Sequence, residues 1–136
     1  MRKGFTADTI AAIATPIGRG GIGIVRISGT GASKIAYAIT DRSMDSGLIP
    51  RHAHLVHIND DNGQLIDQAL LLYMPCPHSY TGEDVVELSC HGGPIILTRV
   101  LDRVLAAGAQ PARAGEFTLR AFLSGRIDLA QAEAVA

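Results

Sequence analysis

The 136-residue sequence has no run of like charges, no basic excess, no long apolar span and only two cysteines. Each absence removes a class of protein. Lys plus Arg number 12 against 13 Asp plus Glu, a net charge of -1, so the positive surplus of a stand-alone nucleic-acid binder is missing. The longest charge-free stretch, Gln68 to Gly82, is broken by Pro75 and Pro77 and is apolar only from Ala69 to Met74. A membrane helix needs about 20 apolar residues, so none is expected. Met1-Arg2-Lys3-Gly4-Phe5 carries the charges of a signal segment, but Asp8 and Thr9 interrupt before an apolar core forms. The chain is expected in the cytoplasm, where Cys76 and Cys90 make no disulfide framework and read as small buried hydrophobes. There is no internal repeat, no low-complexity tract and no G-x-x-x-x-G-K-[ST] run, so this stretch is not itself a P-loop nucleotide hydrolase.

What is present is a globular pattern. Hydrophobic residues are 47% and charged residues 18%, enough apolar surface for one core in a chain of one-domain length. Thr9 to Ala14 and Ile22 to Ser28 read as strands around the loop Thr15 to Gly21, and Ala32 to Thr40 reads as a short helix. His54 to Asn59 and Leu65 to Met74 flank Asp60-Asp61-Asn62-Gly63, where Asn-Gly is expected to supply the positive φ values of a tight hairpin. A polar loop, Pro75 to Asp84, leads to a strand at Val85 to Cys90. Gly92-Gly93-Pro94 then opens a helix to Ala107 with Gly108 as its stop. A further helix covers Glu116 to Ser124, and Asp128 with Gln131 forms a capping box for another. The chain stops at Ala132-Glu133-Ala134-Val135-Ala136 with no stop signal, so it is expected to be the N-terminal part of a longer protein. The order of elements favours an α+β fold of two layers, a mixed β-sheet with helices on one face.

Gly18-Arg19-Gly20-Gly21-Ile22-Gly23 matches G-x-G-x-x-G, but its third glycine opens a strand rather than a helix, which argues against a dinucleotide site. Cys76, His78, Cys90 and His91 have ligand atoms for zinc at spacings that the common zinc knuckles do not use. His54 and His57 fall on opposite faces of their strand. His91-Gly92-Gly93-Pro94 joins a strand to a helix start, where free N–H groups attract anions and a tight turn is the plainer reading. Arg26 and Glu87 are isolated charges in apolar strands. Burying either alone is costly, so they form a structural ion pair with each other, reach water at a sheet edge, or await a polar ligand. The residues alone leave these alternatives open.

Asp8-Thr9-Ile10, the run Ala14 to Gly29, Tyr80 to Glu87, His91 to Pro94 and Gly115 to Ala134 together resemble the opening of the MnmE (TrmE) family of tRNA modification GTPases. The likeness weakens only from Asp41 to Gln64. It implies a folate-binding, dimer-forming domain over residues 1–123, similar to the tetrahydrofolate-binding domain of aminomethyltransferases, and the start of a central helical domain over 124–136. The GTPase domain of the family, with its GTP, Mg and K, lies outside this chain, as does a C-terminal cysteine motif. The resemblance further implies a homodimer that works with the flavoprotein MnmG on carbon 5 of the wobble uridine of tRNA. A reduced folate, 5-formyltetrahydrofolate or 5,10-methylenetetrahydrofolate, would supply the one-carbon unit. Family folate contacts carry over to Arg26, Glu87 and Arg126, the last often Lys in the family. Arg26 or Arg126 would receive the glutamate tail, and Glu87 the donor edge of the pterin. The competing reading is a dimerisation scaffold whose Arg26 and Glu87 pair without any ligand.

Overall fold

A computed structural model describes residues 8–15, 21–91 and 93–135. The expectations placed on Met1 to Phe5, on Gly18 to Gly20 and on Gly92 lie outside these residues. Ten elements follow one another: β1 (Ile10–Ile13), β2 (Ile22–Ser28), α1 (Ala32–Ile39), β3 (His54–Asn59), β4 (Leu65–Met74), β5 (Val85–His91), α2 (Gly93–Ala106), β6 (Gln110–Pro111), α3 (Glu116–Leu123) and α4 (Leu129–Val135). Six strands form one mixed sheet in the order β3-β4-β5-β2-β1-β6. Every pairing is antiparallel except that of β1 with β6.

Alternation along the strands sorts the side chains onto two faces. One face carries Val25 and Ile27 of β2, Val56 and Ile58 of β3, Ala69 and Leu71 of β4, and Val86, Leu88 and Cys90 of β5, all buried. Against it lie Ile35, Ala36 and Ile39 of α1 and Leu97, Val100 and Val104 of α2, the stripes their helical periodicity predicts. The two-layer α+β fold expected from the sequence is therefore the one observed. Gly23 makes room for Leu97 of α2 on β2: a Cβ there would run into the side chain of Leu97.

Two local expectations need adjustment. The β3–β4 connection has a single positive φ, at Gly63 (81°), rather than the two of an Asn-Gly turn of the primed type. The Asp60 carboxylate explains the difference, because its Oδ1 accepts the N–H groups of Asn62 and Gln64 at 2.9 and 2.8 Å and stabilises the wider loop. The second is β6, two residues that sequence periodicity is too short to register. The capping box forms as expected, with Asp128 and Gln131 exchanging hydrogen bonds of 2.8 Å.

Candidate functional site

The second face of the sheet can be read as rows of side chains across the strands. Leu55, Leu70, Ser89 and Ile24 stand in one row. The next holds Leu72, Glu87, Arg26 and Ala12, and the one after that Met74, Val85, Ser28 and Ile10. These rows meet different surroundings. The third is sealed, because Ser28 Oγ bonds Thr81 Oγ1 at 2.7 Å and donates to Glu83 Oε1 at 2.8 Å. Glu83 in turn accepts from Arg120 of α3 at 2.9 Å, which brings the loop before β5 and α3 over this end of the face. The first row is open: Leu55 is 63% and Leu70 46% exposed. The charged row lies at the boundary between them.

There Arg26 and Glu87 sit directly opposite each other, and Arg26 Nε donates to Glu87 Oε2 at 2.8 Å. Their side chains retain 23% and 19% exposure, so the pair is neither sealed nor fully solvated. The guanidinium carbon of Arg26 lies 5.4 Å from the centre of the Tyr80 ring and 5.3 Å from that of Phe117, both within cation–π range. The Tyr80 hydroxyl and Thr118 Oγ1 are 3.0 Å apart, tying the loop to α3 above this arrangement. Beside Arg26 opens a cleft of about 530 Å³, bounded by the end of β1, the segment from Ala112 to Gly115, Tyr80 and the first turn of α3.

Arg126, in the turn between α3 and α4, reaches the Tyr80 loop from outside the cleft. Its Nε donates to the Ser79 carbonyl at 3.0 Å, one residue from Tyr80, and its side chain is exposed and does not line the cleft. The structure thus joins Arg26 to Glu87 directly and links Arg126 to them through the 79–83 loop. Tyr80, Phe117 and Arg113 border the cleft; the sequence marked Tyr80 only as part of the polar loop Ser79 to Asp84, of a kind that carries function or plain turn chemistry, and did not single out Phe117 or Arg113. The signal available was their position in the polar loop and at the entry to α3. Arg120 was missed as well. It is 0% exposed in its side chain, and its Nη2 donates to Glu116 Oε2 at 3.1 Å, the helical i, i+4 spacing that sequence alone could have flagged.

The remaining candidates behave differently. His57 is half exposed and meets Asp41, whereas His54 is buried on the core face, as the alternation requires. Cys76 is exposed and Cys90 buried. Burial, assisted by the charge of Asp67, pushes the Cys90 thiol up to about 12, which makes it a poor thiolate nucleophile or metal ligand at neutral pH. Among the described residues no three His, Cys, Asp or Glu side chains gather to hold a metal ion. Nor is any described helix long and apolar enough to cross a membrane.

Comparison with known proteins agrees with the motifs. The family described as GTP-binding protein TrmE N-terminus matches residues 9–126. A tRNA modification GTPase MnmE of Nitrosomonas europaea is 60% identical over 129 residues, covering 95% of this chain and 28% of that protein. Proteins of the same name from Aromatoleum aromaticum and Stutzerimonas stutzeri are 56% and 54% identical, each over 95% of this chain and 28% of their own length. The chain therefore spans little more than a quarter of the relatives it matches. A match that runs from β1 to the end of the Arg126 turn takes in every part of the boundary site, and on it the chain belongs to the TrmE N-terminal family.

Proposed function

We propose that the chain is the folate-binding, dimer-forming N-terminal region of a tRNA modification GTPase. The observation that carries this reading is the Arg26–Glu87 pair, placed at the edge of a covered zone beside a cleft. The pair keeps part of each side chain accessible, so either partner can exchange solvent for a polar group of a ligand. The residues suit a reduced folate. Glu87 Oε2 is engaged by Arg26, and a carboxylate has further lone pairs for the donor edge of a pterin, which it binds by charge-assisted hydrogen bonds. Tyr80 and Phe117 offer ring faces to a flat heterocycle. Arg126 fixes the Tyr80 loop through Ser79 and presents its remaining guanidinium nitrogens on the solvent side. When bound, the folate would supply a one-carbon unit; these side chains hold and orient it.

The rest of the reading concerns the whole protein. Residues 1–123 form the folate and dimer unit and 124–136 begin a central helical domain, while GTP, Mg and K belong to a GTPase domain outside this chain. Such a protein acts in the cytoplasm with an MnmG-type flavoprotein on the wobble uridine of tRNA. The second copy packs against the open row. Leu55, Leu70 and Ile22, at 63%, 46% and 62% exposure, are apolar groups on the face that neither α1 nor α2 covers. A six-stranded sheet with one such face gains by burying it against a copy of itself.

Calorimetric titration with 5-formyltetrahydrofolate tests the ligand: saturable binding at one site per chain is expected, and no heat at millimolar folate refutes it. Sedimentation equilibrium tests the dimer, with twice the chain mass expected and Leu70→Asp shifting the protein to monomer. A ligand-free scaffold is the second reading, favoured by the ion pair itself. It would dimerise in the same way and bind nothing.

A further inference from the structure

The polar loop that carries Tyr80 has two sides. Toward the cleft it presents the Tyr80 ring, whose centre lies 5.4 Å from the Arg26 guanidinium carbon and whose hydroxyl meets Thr118 Oγ1 at 3.0 Å. Its other side rests on the turn between α3 and α4. Ser124 Oγ donates to the Thr81 carbonyl, and Arg126 Nε donates to the Ser79 carbonyl at 3.0 Å. The carbonyls on either side of Tyr80 are thus both held by this turn. Gly82 closes the contact: its φ of 81° is left-handed, and a Cβ there would run into Ser124 Oγ and Cβ.

Both partners in this contact are fixed from behind. On the loop, Thr81 Oγ1 and Ser28 Oγ are 2.7 Å apart, which ties the residue after Tyr80 to β2. On the turn, the N–H groups of Ser124 and Arg126 donate to the Arg120 and Ala121 carbonyls at 2.9 and 2.8 Å and end α3. Tyr80 itself makes no backbone hydrogen bond among the described residues, so its neighbours set where the ring points. The contact is also inexpensive to open. Ser124 Oγ has the Ala121 carbonyl of its own helix as a second acceptor at 3.2 Å, and the Ser79 carbonyl also accepts the Gly82 N–H at 3.3 Å. Losing the Ser124 hydroxyl therefore strands no buried group, and its effect falls on the placement of the ring more than on the stability of the fold.

We propose that Ser124 is a positioning residue for the cleft: through the Thr81 carbonyl and Gly82 it holds the Tyr80 ring over Arg26 and so presets the wall against which a flat ligand packs. The proposal rests on the folate reading above for the ligand and on the loop's own geometry for the placement of the ring.

The test compares the wild type, Ser124→Ala, Tyr80→Ala and the double variant. Each is melted to check folding and titrated calorimetrically with 5-formyltetrahydrofolate. The wild type and Ser124→Ala are also treated with tetranitromethane, and nitration of Tyr80 is read by peptide mass spectrometry against Tyr37 of α1. Ser124→Ala is expected to weaken folate binding by roughly three- to tenfold, the worth of one neutral hydrogen bond. Nitration of Tyr80 should speed up several-fold with Tyr37 unchanged. In the Tyr80→Ala background the same change should alter affinity by less than about twofold, because the ring through which it acts is gone. A hydroxyl with a merely structural role would lower the melting temperature and leave the two substitutions additive in affinity. The proposal is overturned if Ser124→Ala binds folate as the wild type does, if its effect persists undiminished in the Tyr80→Ala background, or if Tyr80 is nitrated no faster. A Ser124→Ala protein that fails to fold makes the hydroxyl a structural fastener and overturns it as well. Absence of binding by the folded wild type refutes the folate reading alone, and the nitration rates then decide the positioning: equal rates at Tyr80 overturn it and a faster rate in Ser124→Ala upholds it.

Discussion

Two arginines on the same face of the sheet show how burial divides structure from function. Arg120 has no exposed side-chain surface. Its Nη1 donates to Glu83 Oε1 at 2.9 Å, Glu83 Oε2 at 3.1 Å and the Asp8 carbonyl at 2.7 Å, while Nη2 donates to Glu116. One cation therefore fastens three segments: the entry to β1, the loop before β5 and the start of α3. Its Nε is buried with no partner among the described residues, so even this dense cluster leaves a donor unmet. Arg26, on β2, meets one carboxylate and two rings and keeps almost a quarter of its side chain accessible. A sealed guanidinium has no capacity to bind anything further. One at a boundary can exchange part of its solvent for a ligand.

The comparison breaks first at Arg120. Arg120→Met keeps the volume and removes the charge, leaving Glu116 buried without its helical partner and Glu83 without its guanidinium. A loss of about 3–5 kcal/mol of stability is expected, the range for breaking a buried pair, and urea unfolding measures it. Arg120→Lys should recover little, because an ammonium cannot span three segments in one plane. A loss below about 1 kcal/mol would mean that the cluster is no more structural than a surface pair.

At the boundary the order of effects reverses. Glu87→Gln keeps the shape and replaces one acceptor oxygen with an amide that faces the ligand's own donors. Affinity for 5-formyltetrahydrofolate should fall by about 1.5–3 kcal/mol. Stability should fall by less than in Arg120→Met, since solvent reaches both members of the pair. Titration and thermal unfolding of the one variant separate the two terms. A stability loss matching that of Arg120→Met, with folate affinity unchanged in the folded fraction, would return the pair to scaffold.

Why the sequence disclosed one arginine and not the other follows from local pattern. Arg26 lies in Ile22-Gly23-Ile24-Val25-Arg26-Ile27, where a charge among apolar strand residues stands out, and Glu87 stands out in the same way. Arg120 lies on an amphipathic helix four residues after a glutamate, where such a pair reads as solvated. Only the arrival of Glu83 and Asp8, 37 and 112 positions away, makes it a core group, and no window on the sequence contains both. The strands and helices were legible because their periods are local. β6 was not, because two residues have no period and Gln110–Pro111 becomes a strand only by lying beside β1. Register was likewise invisible until the strands were paired, so nothing in the sequence placed Pro111 opposite Ala11. Arg126 entered through family resemblance, and its bond to Ser79 is a loop contact that no spacing rule anticipates.

The series extends to a third pair, still more exposed. Asp41 and His57 are 48% and 49% accessible, with Asp41 Oδ2 2.8 Å from His57 Nδ1 and Oδ1 accepting the His57 N–H at 2.9 Å. The Asp41 carboxyl is held below its ordinary 3.8, chiefly by that backbone N–H, with slight burial opposing and the imidazole adding a smaller effect. A carboxyl with a lowered folded value favours folding wherever it is ionised. Its contribution is complete above the ordinary value and is lost as pH falls through the folded one. Asp41→Asn should therefore cost less than about 1 kcal/mol at pH 7, the magnitude of an exposed pair. The difference from wild type should shrink as pH falls below the ordinary 3.8, where the unfolded state takes up the proton first and the folded state follows at lower pH. Denaturant unfolding of the two proteins from pH 7 to pH 3 measures this. A difference that grows on acidification would show that Asp41 is better accommodated neutral than charged, and would end the ordering of these three pairs by exposure.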